Sequence, residues 1–110
     1  MRALIYLVLT VFALNTQAAT LECKSFINLD EVTSSAVVTS LKNKVLIDKV
    51  DEITSYVTET SPNVFSLEAF IPSLEMRIYS EAALNNVGEV LKATAWAREI
   101  LVDVICKRIK

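Results

Sequence analysis

Beyond the first eighteen residues, apolar and polar side chains alternate in short runs separated by polar clusters, the pattern of β-strands with one buried face. Leu21, Cys23, Ile27 and Leu29 alternate with Glu22, Lys24, Asn28 and Asp30, which predicts a first strand carrying Cys23 on its apolar side, with Phe26 a local exception. The polar stretch Thr33, Ser34 and Ser35 predicts a break, followed by a short strand over residues 36–39 that stops at residues 41–44. Residues 45–50 form the next apolar run, and Ile53, Ser55 and Val57 then alternate with Thr54, Tyr56 and Thr58. Thr60, Ser61, Pro62 and Asn63 are turn formers, because Pro presets φ and Asn tolerates the left-handed region. Phe65, Leu67, Ala69 and Ile71 share one strand face opposite Ser66 and Glu68. Pro72 has no N–H to give a ladder, so the chain turns, bulges or lies at an edge there. Leu74, Met76 and Ile78 alternate with Glu75, Arg77 and Tyr79 directly afterwards, the cleanest alternation in the chain.

The last third supports two readings. Asn86 followed by Glu89 resembles a helix N-cap with its acidic partner, and Ala93, Ala97, Ile100, Leu101 and Val104 would share a helical face. Trp96, Ile100, Val102, Val104 and Cys106 equally share one face of a strand, interrupted only at Arg98. A helix would turn Cys106 away from the apolar face, whereas a strand keeps it in line, and the β-branched density of residues 100–105 agrees with the strand. The expected fold is therefore all-β: a small antiparallel sandwich or barrel-like meander of about seven or eight short strands with one disulfide. The alternative is an α+β fold with a C-terminal helix over residues 87–107.

The opening residues have the order of a secretory leader: Arg2, an apolar run over residues 3–14, then Asn15, Thr16 and Gln17. Residues 1–18 are read as a cleavable signal peptide with cleavage after Ala18, and residues 19–110 as a single small β domain. The leader's run is too short for a membrane-spanning helix, which needs about 20 apolar residues, so no transmembrane span is expected in the mature chain. Setting the leader aside lowers the apolar share from 53% to about 49%, an ordinary globular value, and leaves a mildly acidic chain.

Export implies an oxidising compartment, periplasm or extracellular space, where two cysteines allow one internal pairing, Cys23 with Cys106. In the chain-entropy model, closing a loop of that length stabilises the fold by about 4 to 5 kcal/mol. Closely spaced redox thiols of the C-x-x-C type do not occur, so the pair is structural.

The chain contains no histidine, which removes imidazole bases, the Ser-His-Asp arrangement and the usual zinc ligand sets. Carboxylate neighbours remain at Asp30 with Glu31, Asp51 with Glu52, and Glu75 with Glu81, each expected to be a solvated turn or strand residue. There is no calcium loop, phosphate loop or dinucleotide fingerprint, and Gly88 is the single glycine, so no cofactor or metal is expected. The only basic cluster is Lys107, Arg108 and Lys110, read as a solubilising tail, and no nucleic-acid partner is expected.

Trp96 with Arg98 is the first candidate contact, since an aromatic beside a cation is a common interface anchor. The competing expectation is that Trp96 fills the core against the disulfide while Arg98 snorkels outward. Tyr56 and Tyr79, on the more polar sides of their strands, are further candidates. The expected function is that of an exported, non-catalytic protein-binding or inhibitory module that meets another envelope or extracellular protein through loop tips or a sheet edge near Pro72. The alternatives are a structural, self-associating envelope component and, last, a small carboxylate-based enzyme.

Overall fold

The computed structural model describes residues 19–110, so the expected leader and its cleavage point at Ala18 lie outside the described residues. Eight strands follow one another: β1 (Thr20–Ile27), β2 (Asp30–Val38), β3 (Lys44–Val50), β4 (Ile53–Ser61), β5 (Val64–Ile71), β6 (Met76–Ala83), β7 (Val90–Ala97) and β8 (Ile100–Arg108). One 3-10 turn, Pro72–Leu74, separates β5 from β6, and there is no α-helix among the described residues. The α+β alternative is thereby set aside. The Asn86 and Glu89 signal is locally real, because the Asn86 N–H donates to the Glu89 carboxylate at 2.6 Å and the Glu89 N–H to the Asn86 carbonyl at 3.2 Å. These bonds close a turn before β7, and the β-branched residues beyond it extend into strands.

The strands form two antiparallel four-stranded sheets in the orders β2-β1-β8-β7 and β3-β4-β5-β6. β2 lies beside β3, and β6 beside β7, without ladder pairing, so the order of neighbours around the molecule is that of the chain. The last strand returns to the first: β8 pairs with β1 and sets Cys106 opposite Cys23. The cysteines form a disulfide within the first sheet, Cα to Cα 4.1 Å, and both are fully buried.

Inward positions follow period two. Leu21 and Cys23 of β1, Val57 of β4, Phe65, Leu67, Ala69 and Ile71 of β5, and Val102, Val104 and Cys106 of β8 form the core. On β7 the inward residues include Ala93 and Ala95, and these short side chains let its backbone approach β5 more closely than the usual spacing of about 10 Å between packed sheets.

Three expectations are corrected along the strands. Leu29 does not continue the apolar face of β1; it sits in the two-residue turn to β2 with φ 73° and is 74% exposed. Thr33, Ser34 and Ser35 are not a break but lie inside β2, where they pair with Ser25, Lys24 and Cys23. Leu74 belongs to the 3-10 turn, whose first position suits Pro72 because no N–H is required there, and Glu75 leaves it at φ 50°.

The up-and-down path gives the molecule two distinct ends. One carries the four turns β1–β2, β3–β4, β5–β6 and β7–β8. The other carries both ends of the described chain and the three remaining connections. It is tied together by bonds from the Thr39 N–H to the Ala19 carbonyl (2.9 Å), from Lys42 to Glu59 (2.6 Å) and from Leu84 to Asn63 (2.8 Å). Arg108 completes this terminal end: its Nη1 donates to the Asn63 side-chain oxygen at 2.7 Å and to the Leu84 carbonyl at 2.6 Å. The expectation of a free basic tail is corrected here, since Lys107 and Arg108 lie within β8.

Candidate interaction surfaces

The candidate residues fall on two separate surfaces. Trp96 lies in β7 between the buried Ala95 and the hairpin turn at Arg98 and Glu99, so its alternation points outward; its indole is 78% exposed. The expectation that it packs against the disulfide is overturned. Residues 96–106 are not one strand: the chain reverses at Arg98 (φ 56°), and Trp96 pairs with Leu101 on the outer face. Arg98 is exposed at that turn.

The neighbouring turn joins this corner. The Asn28 N–H donates to the Leu101 carbonyl at 2.8 Å, and the Leu101 N–H donates to the Asn28 side-chain oxygen at 2.9 Å. Through Leu101, Leu29 and Trp96 stand at one corner of the first sheet. Leu29 was not singled out by its pattern, which placed it on a strand; the signal available was Asn28, a residue that readily takes positive φ.

Tyr56 and Tyr79 come together on the outer face of the second sheet, each directly opposite Glu68 of β5. Two strand spacings put the tyrosines about 10 Å apart. Lys44 Nζ lies 4.9 Å from the Tyr56 ring centre and 3.5 Å from the Glu68 carboxylate. Arg77 stands 5.4 Å over the Phe70 ring one row away. The Tyr79 hydroxyl donates to Glu81 at 3.0 Å, and this hydrogen bond to a carboxylate, with the local negative charge, holds its pKa above the ordinary 10.0.

A third cluster lies inside. β3 carries a bulge between Leu46 and Asp48, so the extra residue Ile47 and then Asp48 both face inward, where strict alternation would have put Asp48 outside. The Asp48 carboxylate accepts hydrogen bonds from Ser25 (3.0 Å), Thr33 and Ser55 (3.4 Å), hydroxyls from three different strands. Ser25 and Ser55 are buried, and this cluster bridges β3 to β1 and β2 where no ladder runs. With every hydroxyl donating to one carboxylate, the arrangement is a latch between the sheets.

Of the carboxylate neighbours, Asp30 with Glu31 and Asp51 with Glu52 stay together, and Glu75 separates from Glu81. Asp30, Asp51, Glu52 and Glu75 belong to the turn end, whereas Glu81 lies near the other end of β6. Among the described residues, no group of three or more His, Cys, Asp or Glu side chains is placed to hold a metal ion. Comparison of the chain with family models, with curated proteins and with solved structures gives no match.

Proposed function

We propose that this chain is an exported, non-catalytic protein-binding or inhibitory module that meets its partner through the turn end and its Trp96 corner. One observation carries the reading: the single tryptophan is 78% exposed, and a leucine in the β1–β2 turn at the same end of the first sheet is 74% exposed. Large rigid aromatics give up little conformational entropy on contact and dominate interface energetics, so an exposed Trp at an end that also exposes a Leu is a ready anchor. The hairpin tips around it are held by a covalently closed scaffold, as suits a recognition surface built on loops. Two further observations support an extracytoplasmic, non-catalytic role: a small domain closed by a disulfide, and a chain without histidine.

The test is capture of envelope and secreted proteins on the immobilised, oxidised protein, run beside Trp96→Ala and Leu29→Gly variants. A stoichiometric partner retained by the native surface and lost from both variants supports the reading. Retention unchanged in both variants overturns the assignment of the corner.

The runner-up reading is a self-associating component. It is favoured by a second observation: the turn end exposes Asp30, Asp51, Glu52, Glu75 and Glu99, whereas the other end exposes Lys42, Lys107 and Lys110.

A further inference from the structure

The turn end exposes Asp30, Asp51, Glu52, Glu75 and Glu99, none of which has an ion-pair partner among the described residues. Arg98 is the one cation in the turns themselves, with Lys49 and Arg77 a position or two farther in. The terminal end differs. Lys42, Lys107 and Lys110 are exposed without ion-pair partners among the described residues, against the exposed acids Glu81 and Glu89 and the half-buried Glu22 opposite Lys107, so this end is the less acidic of the two. Both ends also carry apolar side chains in water: Leu29 and Trp96 at the first, Leu41, Val87 and Ile109 at the second.

An acidic, apolar surface and an apolar surface with exposed lysines on opposite ends of one rigid body are complementary to each other and not to themselves. Like ends repel and unlike ends attract, which sets both the orientation and the partner. We infer that the turn end docks on the terminal end of a second copy of this chain, so that copies associate head to tail. This inference rests on the turn end being a docking surface and names its occupant. The two surfaces face opposite ways, separated by strands of seven to nine residues, or about 23 to 30 Å. Such a heterologous contact does not close on itself as a two-fold dimer and continues by addition of copies. Exposed charges attract over a Debye length of about 10 Å at 0.1 M salt and much less at 1 M, so the association is strongest at low ionic strength.

The experiment is light-scattering mass of the purified, oxidised protein against concentration, at low and at molar salt, with Trp96 emission followed in parallel. The expected result is at least a doubling of apparent mass at low salt, with a blue shift of Trp96, both reversed by molar salt. Two charge-reversed proteins, Glu52→Lys with Glu75→Lys and Lys107→Glu with Lys110→Glu, are each expected to keep the single-copy mass alone and to associate when mixed. These side chains are exposed, and the native protein's salt dependence is a test that needs neither variant. A single-copy mass at every concentration and salt overturns the inference while leaving the capture of another protein to be judged by its own experiment. Association indifferent to salt, or retained by each reversed protein alone, overturns it as well.

Discussion

Asn28 and Leu101 exchange two hydrogen bonds, backbone N–H to carbonyl at 2.8 Å and backbone N–H to side-chain amide oxygen at 2.9 Å. The amide of Asn28 extends the β1–β8 pairing into a turn, where no further backbone pair is available. That bond holds the β1–β2 tip against β8 and fixes where Leu29 stands relative to Trp96.

Leu29 occupies a left-handed position (φ 73°) that a glycine takes without steric penalty, and its side chain gains little there because it is 74% exposed. Leu29→Gly is expected to stabilise the fold by about 1 kcal/mol, the cost of a non-glycine residue in that region. The same change is expected to weaken capture of a partner. Denaturant midpoints of the two proteins check the first effect, and a lower midpoint in the variant would refute it.

Removing the Asp48 carboxylate leaves three hydroxyls of β1, β2 and β4 without their common acceptor. Asp48→Ala is expected to cost about 2 to 3 kcal/mol, the penalty for leaving buried polar groups unpaired, and Asp48→Asn less because one acceptor oxygen remains. Hydrogen exchange along β2 and β3 reports the location: amides there should lose protection ahead of those in β5, which is paired on both sides.

The disulfide joins residues 83 apart in sequence, so most of the described chain lies within its loop. Replacing both cysteines by alanine is expected to lower stability by about 4 to 5 kcal/mol through the freed unfolded chain. Against the roughly 5 to 15 kcal/mol typical of small domains, that loss is enough to make the fold marginal. Thermal unfolding of the oxidised protein and the double variant measures it.

Tyr79 ionises above the ordinary tyrosine range because its hydroxyl donates to Glu81 and the phenolate would face that carboxylate. Its pKa is raised on folding, so the interaction stabilises the fold below the unfolded pKa and the contribution is lost as pH rises through the folded value. Ultraviolet titration of tyrosine absorbance should show Tyr79 ionising late, and Glu81→Gln should bring it back toward the ordinary tyrosine value. A titration unchanged by the substitution would remove Glu81 as the cause.

Much of this architecture was readable before any coordinates. Burying one face of a sheet imposes period two, and the runs around Val57, Leu67 and Ile78 show it plainly. Pro62 and Asn63 marked their turn through intrinsic backbone preferences. The turn at Arg98 carries no sequence signal because neither Arg98 nor Glu99 is a turn former, so alternation alone continues Trp96 into the strand of Cys106, where the structure reverses the chain and turns Trp96 outward. The inward turn of Asp48 has no local signature for a different reason: a bulge is a property of two paired strands, and the single extra residue that creates it cannot be read from one.

By itself, then, the sequence determined the strand class, the closing disulfide and the absence of imidazole chemistry, because alternation, cysteine count and composition are local or additive properties. Only the tertiary structure decided which side chains became neighbours across strands. The meeting of Tyr56 and Tyr79 across Glu68, the tying of the Asn28 turn to Leu101, the anchoring of Arg108 on Asn63 and Leu84, and the separation of charge between the ends are of this kind. Each depends on register, and register is set by all the paired strands together and by no one of them.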